Sequence, residues 1–300
     1  MKDNTHRYTV VGLGEILWDM LPGGKQLGGA PANFAYHTRA LGENGSPASC
    51  VGSDEMGKEI LERLDGLGLD RRYVAVDDDH PTGTVTVRID ANGKPDYTIH
   101  ENVAWDYIPA SEGLMTLAGR CDAVCFGSLC QRSPVSRRTI LAFLAATGPE
   151  CIRTFDINLR QDYFSRKVID EALRLSTVLK LNDEELPVVA RLLGIRGGEN
   201  EILSALTRSY GLHMIALTRG AGGSLLCAGS RRYRHSGYPA KVADTVGAGD
   251  AFAAAVAVGL LRRLDPERIN DAANRVAGFV CSRAGATPVL PESLTGLLDG

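Results

Sequence analysis

The sequence predicts an α/β protein built on a mostly parallel β-sheet with helices on both faces. Between residues 123 and 217, short apolar runs typical of buried strands alternate with longer segments typical of helices. That alternation is the pattern of βα units, whose parallel strands are covered on both faces. A second observation is that every residue at 251–261 is apolar or Gly. This Ala-rich run is too short to span a bilayer, so we expect a buried helix.

The elements can be placed along the chain in order. Buried strands are predicted at 8–13, 47–51, 123–126, 152–155, 178–181 and 214–217. Helices are predicted at 31–41, 54–64, 135–146, 167–175, 183–193, 202–210, 251–261 and 267–284. Pro31 in a first turn and Gly42 beyond a last turn mark the ends of the first helix. Residues 20–29 are interpreted as a Gly-rich loop, and 224–227 and 231–234 as a local β excursion.

A hairpin that departs from the βα pattern is predicted between residues 83 and 100. Residues 83–90 alternate in polarity, with Thr84, Thr86 and Arg88 on one face. Asn92-Gly93 is typical of a tight turn, after which 95–100 returns. Because βα stretches flank the hairpin, it is expected to form either a small β lid, inserted around 72–107, or an ordinary edge hairpin.

Composition excludes several kinds of partner. The net charge of −3, spread along 300 residues, leaves no basic footprint for nucleic acid and no polybasic membrane patch. No run of about 18 apolar residues is present, and the polar start MKDNTHRY is unlike a signal peptide. The seven cysteines form no C-x-x-C pair and have no His cluster beside them. We therefore expect reduced, buried thiols in a cytoplasmic protein and no zinc site.

The segment that precedes the apolar helix, Asp-Thr-Val-Gly-Ala-Gly-Asp at 244–250, carries candidate chemistry. The amides of Gly247, Ala248, Gly249 and Asp250 would be free donors in the first helical turn. Together with the positive end of the helix dipole they form an anion site, which the glycines allow an anion to approach. A carboxylate beside an anion site suits phosphoryl transfer, which depends on positioning and charge stabilisation. Alternatively, Asp250 is simply a helix-start residue, a position that Asp favours.

Polar residues and glycines follow most of the predicted strands. They occupy 14–19, 127–128, 156–160, 182–185 and 218–220. In a parallel sheet the carboxyl ends of the strands share one edge, where ligands bind. One polar strand end is routine loop chemistry, whereas a whole row on one edge indicates a site.

Two motifs at opposite ends of the chain identify a family. Residues 28–33, GGAPAN, and 244–250, DTVGAGD, together resemble the signature motifs of the PfkB (ribokinase-like) carbohydrate kinases. Asn182-x-x-Glu185 and Thr218-x-Gly220 lie between them in the expected order. The segments 14–37 and 156–160, DINLR, look most like the fructokinase branch. The resemblance covers essentially the whole chain and implies a ribokinase-like α/β fold, with 1–300 as a single kinase domain that carries the β lid.

The resemblance implies catalytic and sugar-binding roles. Asp250 would take the proton from a sugar hydroxyl, and Gly247, Ala248 and Gly249 would complete the anion hole. The sugar-binding residues would be Asp19, Gly28, Gly29, Asn33, Asn158 and Arg160. This is chemically apt, because carboxylates accept hydroxyl donors and glycines let a sugar approach the backbone. For Asn33 the alternative is a local hydrogen bond at the helix start, and for Arg160 it is a surface salt bridge.

The resemblance also implies ATP and Mg²⁺ as cofactors. Asn182 and Glu185, three residues apart on one helix face, would organise Mg²⁺ and its water, with Glu185 acting through that water. Thr218 and Gly220 would line the path of the nucleotide phosphates, and Asn274 would lie near the adenine. The alternative for the segment 182–186, NDEEL, is helix capping.

Many members of the family also bind K⁺ beside the anion hole. The resemblance places such a site at Asp244, the carbonyl of Val246 and the loop near Gly285.

A small sugar, D-fructose, is the expected substrate, phosphorylated on a primary hydroxyl. The alternatives are 2-keto-3-deoxygluconate or another sugar or nucleoside, and, in a different class, a non-catalytic sugar-binding regulator. A dinucleotide-binding oxidoreductase is rejected, because Leu17 stands where the third glycine after Gly12-x-Gly14 would be needed. Since exposed strand edges invite pairing, the β lid could also join two subunits as a homodimer.

Overall fold

Thirteen strands lie within the part of the chain that the structure, a computed structural model, describes, namely residues 7–89 and 95–299. They are β1 Thr9–Leu13, β2 Leu17–Leu21, β3 Gly24–Gly28, β4 Asn44–Gly52, β5 Val74–Asp77, β6 Thr84–Ile89, β7 Pro95–Ile99, β8 Ala123–Gly127, β9 Ile152–Asp156, β10 Val178–Asn182, β11 Met214–Thr218, β12 Ser224–Ala228 and β13 Arg231–His235.

Nine of these strands form one sheet in the order β13-β12-β11-β10-β9-β8-β1-β4-β5. The strands from β11 to β5 run parallel, which confirms the predicted parallel sheet. β12 and β13 extend the sheet through antiparallel pairing rather than forming a separate excursion. The predicted strands at 224–227 and 231–234 are thus confirmed, whereas the pairing of β12 with β11 depends on tertiary structure.

The helices cover both faces of this sheet. They are α1 Ala30–Ala40, α2 Glu55–Gly66, α3 Glu112–Ala118, α4 Pro134–Ala146, α5 Arg166–Leu175, α6 Glu185–Leu193, α7 Glu199–Tyr210, α8 Ala248–Leu261, α9 Pro266–Cys281 and α10 Glu292–Thr295. One core contains side chains of α3 to α7, and the opposite core contains side chains of α1, α8 and α9. The predicted apolar helix is α8, in which ten residues are buried.

Strand alternation assigns residues to the two cores. Val178 of β10 belongs to the core under α8, whereas Leu179 and Leu181 belong to the opposite core. In β9, Phe155 likewise faces the opposite core. Successive side chains of a strand point to opposite faces of the sheet. Asp156, which follows Phe155, and Lys180, which lies between Leu179 and Leu181, therefore point to the face covered by α8.

A second, four-stranded sheet has the order β3-β2-β6-β7. β2 pairs with β6 in parallel, and β2–β3 and β6–β7 are antiparallel hairpins. The prediction of a Gly-rich loop at 20–29 is thus wrong: β2 and β3 are joined through Pro22-Gly23 and pair with each other, and β2 also pairs with β6. These pairings stabilise β3, whose two glycines disfavour a strand by local pattern. β5, at the start of the 72–107 segment, pairs with β4 in the larger sheet. The predicted turn at Asn92-Gly93 lies outside the described residues.

None of the helices within 7–89 and 95–299 has the length and apolar character needed to cross a membrane. The parallel strands bring the carboxyl ends of β1, β8, β9, β10 and β11 to one edge of the larger sheet. The first turn of α8 lies at this edge, as the contacts below show.

Candidate active site

The first turn of α8 presents backbone amides without side-chain caps. Gly247 is the N-cap and has a left-handed backbone with φ +79°, and a β-carbon there would lie 2.5 Å from the carbonyl oxygen of Ala286. Glycine is therefore required at this position. The amides of Gly247, Gly249 and Asp250 have no hydrogen-bond partner among the described residues. That of Ala248 donates to the carbonyl of Thr245 at 3.3 Å, so three of the four predicted donors are free.

Asp250 lies in this first turn and is held by a residue from the other end of the chain. Its Oδ2 accepts a hydrogen bond from Nδ2 of Asn33 at 2.9 Å. The alternative that Asn33 bonds only locally is therefore wrong. The surrounding protein desolvates Asp250 and raises its pKa, while the charges of Lys180 and Arg160 and the bond from Asn33 oppose that rise.

Three buried ionisable side chains that motif reasoning did not single out lie around Asp250. They are Glu15, Asp156 and Lys180, each less than 9% exposed. The Nζ of Lys180 donates to both carboxylate oxygens of Asp156 at 2.9 Å. Burial raises the pKa of Glu15 to about 7, and the carboxylate of Asp250 adds to the rise. Oε2 of Glu15 and Oδ1 of Asn33 are buried without a partner among the described residues, as expected of atoms that line a ligand site.

The sequence carried one signal for this cluster. Lys180 stands in the middle of the apolar strand segment VLKLN, where a lysine is expected only with a buried partner. The partner is its register neighbour on β9, Asp156.

Asp19 and the paired glycines form the wall of the site nearest the small sheet. A β-carbon on Gly28 would lie 2.4 Å from Oδ2 of Asp19, and one on Gly29 would lie 2.3 Å from the carbonyl oxygen of Glu15. Both glycines thus allow close approach, and Gly29 has φ +110°. Burial raises the pKa of Asp19 to about 6, against the opposing charge of Arg160.

Asn158 and Arg160 lie in the segment that follows β9. Asn158 adopts a left-handed backbone with φ +43°. Arg160 is exposed, and its Nη1 donates to the carbonyl of Leu159 at 3.0 Å. The positive charge of Arg160 lowers the pKa of Glu15, Asp19 and Asp250, so the guanidinium lies near all three carboxyl groups. Within the described residues it makes no salt bridge, in contrast to the alternative considered above.

Asn182 and Glu185 are both engaged at the start of α6. Oδ1 of Asn182 accepts from the amides of Glu184 and Glu185, which is helix capping. The two oxygens of Glu185 accept from the amides of Leu159 and Asn182 at 2.9 and 2.8 Å. Glu185 therefore connects the segment after β9 to the end of β10, and each oxygen keeps a further lone pair for a metal-bound water.

Thr218 and Gly220 follow β11 at the same edge. The carbonyl of Thr218 accepts from the amide of Asp183, and Gly220 begins a short 3₁₀ turn with φ +52°. Asn274 on α9 is buried, and its Nδ2 donates to Oγ of Ser224 and to the carbonyl of Asn270, both at 2.7 Å. Its amide nitrogen is thus used within the protein, and its position near the adenine stays a prediction.

Asp244 fixes the segment before α8 to a second loop. Its Oδ1 accepts from the amide of Val246 at 3.0 Å, and its Oδ2 accepts from the amide of Gly285 at 3.1 Å. The structure therefore brings together the three positions at which a K⁺ site was predicted. Across residues 7–89 and 95–299, no group of three or more His, Cys, Asp or Glu side chains could hold a metal ion by itself.

The chain matches known proteins over most of its length. A model of the pfkB family of carbohydrate kinases matches residues 22–293. A fructokinase of Salmonella typhimurium is 31% identical over 261 residues, which cover 83% of each chain. The crystal structure of an uncharacterized sugar kinase from Pyrococcus horikoshii in complex with ATP is 27% identical, with a TM-score of 0.81 and coverage of 93% of this chain and 94% of that chain.

An Escherichia coli protein assigned as ribokinase II, solved in its apo form, has a TM-score of 0.84 at 20% identity, covering 97% of this chain and 99% of that one. This likeness confirms the predicted ribokinase-like fold. The chain belongs to the pfkB family of carbohydrate kinases.

Proposed function

We propose that this pfkB-family kinase transfers the γ-phosphoryl group of ATP to a primary hydroxyl of a small sugar, and that the sugar is D-fructose. One observation carries the proposal: the carboxylate of Asp250 lies in the same helical turn as three unpaired amides. A proton acceptor and an anion site are thereby placed side by side, which is what transfer to a hydroxyl requires. The match to a relative crystallised with ATP supports the choice of nucleotide.

In this proposal Asp250 accepts the hydroxyl proton while the amides of Gly247, Gly249 and Asp250 bind the phosphoryl oxygens. Asn33 holds Asp250 in place through its 2.9 Å bond. Asp19, Gly28 and Gly29 bind sugar hydroxyls from the side of the small sheet, and Asn158 and Arg160 bind from the segment after β9. Thr218 and Gly220 lie along the phosphate path.

Mg²⁺ fits this site through water at Glu185, because each carboxylate oxygen accepts one backbone amide, of Leu159 or of Asn182, and keeps a further lone pair. When bound, Mg²⁺ neutralises phosphate charge. K⁺ is proposed at Asp244, at the carbonyl of Val246 and in the loop at Gly285, since Asp244 already fixes both segments. We also propose a cytoplasmic location, which the seven unpaired cysteines support.

The charge of the site supports a neutral sugar. Arg160 is exposed, and its positive charge lowers the pKa of Glu15, Asp19 and Asp250, so these three carboxyl groups lie close to one another. Lys180 is committed to Asp156. A substrate without a negative charge avoids repulsion from these carboxyl groups. The similarity to the fructokinase of S. typhimurium supports fructose among neutral sugars.

The test is ADP release with Mg·ATP across ketoses, aldoses, 2-keto-3-deoxy acids and nucleosides. We expect the highest kcat/KM with D-fructose. The absence of turnover with every acceptor, while sugar still binds, would favour a non-catalytic sugar-binding regulator. A kcat/KM roughly tenfold or more higher for the ketodeoxy acid would overturn the choice of fructose.

The second candidate, 2-keto-3-deoxygluconate, is favoured only by Arg160, which could pair bidentately with its carboxylate. The two candidates differ in the expected effect of Arg160→Ala. For the acid, the loss in kcat/KM should correspond to about 2–5 kcal/mol, as for one truncated partner of a charge pair. For fructose the loss should be moderate, since no full charge is left unpaired. Arg166→Ala, at an exposed arginine that begins α5, is the matched control.

We further propose that the small sheet is a lid over the sugar. Segments near the site already touch β7: Nε2 of Gln161 donates to the carbonyl of Tyr97 at 2.7 Å. Backbone hydrogen exchange of residues 84–89 and 95–99 should slow when sugar binds, because closure excludes water. The hairpin of β12 and β13, at the far edge of the larger sheet, should not change. Equal exchange of the small sheet with and without sugar would contradict the lid.

The same sheet is our proposed homodimer surface. Its outer strands β3 and β7 each pair with one strand only within the described residues, and Tyr97 on β7 is 52% exposed. Sedimentation velocity at micromolar protein would show a dimer, and a monomer at all concentrations would exclude it.

A further inference from the structure

Lys180 is a charged side chain in the middle of a buried strand. It is 8% exposed and lies on β10, with Leu179 and Leu181 packed in the opposite core. Lysine is almost never buried to this extent without a partner, because removing an ammonium from water is costly. A hydrophobic residue would fit the strand pattern, so the charge at this position calls for a function.

Asp156 is the partner, and it belongs to the adjacent strand. Lys180 and Asp156 are register neighbours on β10 and β9, and both lie on the face covered by α8. Nζ is 2.9 Å from each carboxylate oxygen. Although burial works against the charged form of Lys180, the carboxylates of Asp156, Glu185 and Asp250 hold its pKa above the ordinary value. The ammonium therefore remains charged at neutral pH.

The ammonium also touches the first turn of α8. A β-carbon on Gly249 would lie 2.9 Å from Nζ of Lys180. Gly249 directly precedes Asp250, so the lysine lies beneath the turn that carries the candidate base. Because Gly249 has no side chain, the ammonium of Lys180 can lie against this turn.

Charged and polar groups face Asp250 from every side. They are Glu15 after β1, Asn33 on α1, the Cys125 thiol on β8, Asp156 on β9, Arg160 in the segment after β9, and Lys180 on β10. The carboxyl groups of Glu15 and Asp156 favour a protonated Asp250, and the two cations favour an ionised one. Arg160 is exposed, so water and salt screen its charge. Lys180 is the buried cation, and its interaction with Asp250 is screened far less.

We propose that Lys180 is a positioning residue that keeps Asp250 ionised for proton abstraction, and that Asp156 limits this effect by holding the ammonium. The inference rests on the proposed role of Asp250 as the base. It gives the two members of one ion pair opposite effects on the reaction, which a purely structural ion pair would not have.

The measurement is the acid side of the kcat/KM profile for the sugar, where activity falls as Asp250 becomes protonated. In Lys180→Met, loss of the nearby cation should move this fall to higher pH by about 1 unit or more. In Asp156→Asn, the ammonium loses the carboxyl group that holds it and becomes free to approach Asp250, so the fall should move to lower pH.

Arg262→Met is the matched control. Arg262 follows the opposite end of α8 and pairs with the buried Glu43 at 2.8 Å, far from the candidate site. Its loss should leave the pH of the acid fall unchanged. Thermal unfolding of each variant establishes that it is folded. If Lys180→Met does not fold, the shift of Asp156→Asn to lower pH still tests the inference.

An unchanged acid fall in folded Lys180→Met, or shifts of the two variants in the same direction, would overturn the inference. A failure of the proposed function has a different signature. If Asp250 is not the base, Asp250→Asn retains turnover. If only the inference is wrong, Asp250→Asn loses turnover, and the pH at which kcat/KM falls in Lys180→Met and Asp156→Asn is unchanged or shifts in the same direction.

Discussion

Asp250→Asn should lower kcat by about 10²–10⁴, the usual contribution of a positioned general base. Asn has nearly the same shape, so the first turn of α8 and its free amides are retained. Its side chain cannot accept a proton at neutral pH, which removes the step that the carboxylate performs. The bond from Asn33 to Oδ2 is to an oxygen that Asn also offers. We therefore expect little change in the melting temperature or in nucleotide affinity.

Asp265→Asn tests the alternative that Asp250 only begins a helix. Asp265 is the N-cap of α9, and its Oδ1 accepts from the amide of Glu267 at 2.8 Å. Its replacement should cost at most about 1 kcal/mol of stability and leave kcat intact. Turnover by Asp250→Asn close to that of the unmodified protein, measured beside this control, would exclude Asp250 as the base.

The sequence predicted the part of the site that lies in motifs and strand ends. The alternation of strand and helix segments predicted which residues lie at the carboxyl edge of the sheet. The apolar run 251–261 predicted the helix that begins beside Asp250. These signals are local, since each depends on the period of neighbouring side chains. The bond between Asn33 and Asp250 joins residues 217 positions apart, and no local pattern specifies it.

The remainder of the site depends on register. Lys180 and Asp156 are opposite each other only because β9 and β10 pair as they do. Glu15 is a functional candidate because the fold buries one of its oxygens without a partner. The strands β2 and β3 escaped prediction for a related reason. The glycines of β3 disfavour a strand by local pattern, and it is the pairing of β3 with β2, and of β2 with β6, that makes these segments strands.

Gly249→Val should lower kcat by on the order of 10²-fold or more, comparable to the loss of an oxyanion donor. The amide of Gly249 is unpaired and is available to a phosphoryl oxygen. A branched side chain would crowd the approach to that amide, and its β-carbon would lie 2.9 Å from Nζ of Lys180. The sugar should still bind, because its proposed contacts lie on β2, at Gly28-Gly29 and in the segment after β9. The readouts are kcat and the equilibrium affinity for the sugar.

Two comparisons separate the reasons for this loss. Gly278→Val places the same residue in α9, where a β-carbon would meet no atom within 4 Å, and it should leave kcat unchanged. Displacement of Lys180 alone would raise the pKa of Asp250, and higher pH would then restore activity. Blockage of the amide persists at every pH. We expect the loss in Gly249→Val to remain at pH values well above the acid fall, and full recovery there would assign the effect to Lys180 instead of the anion hole.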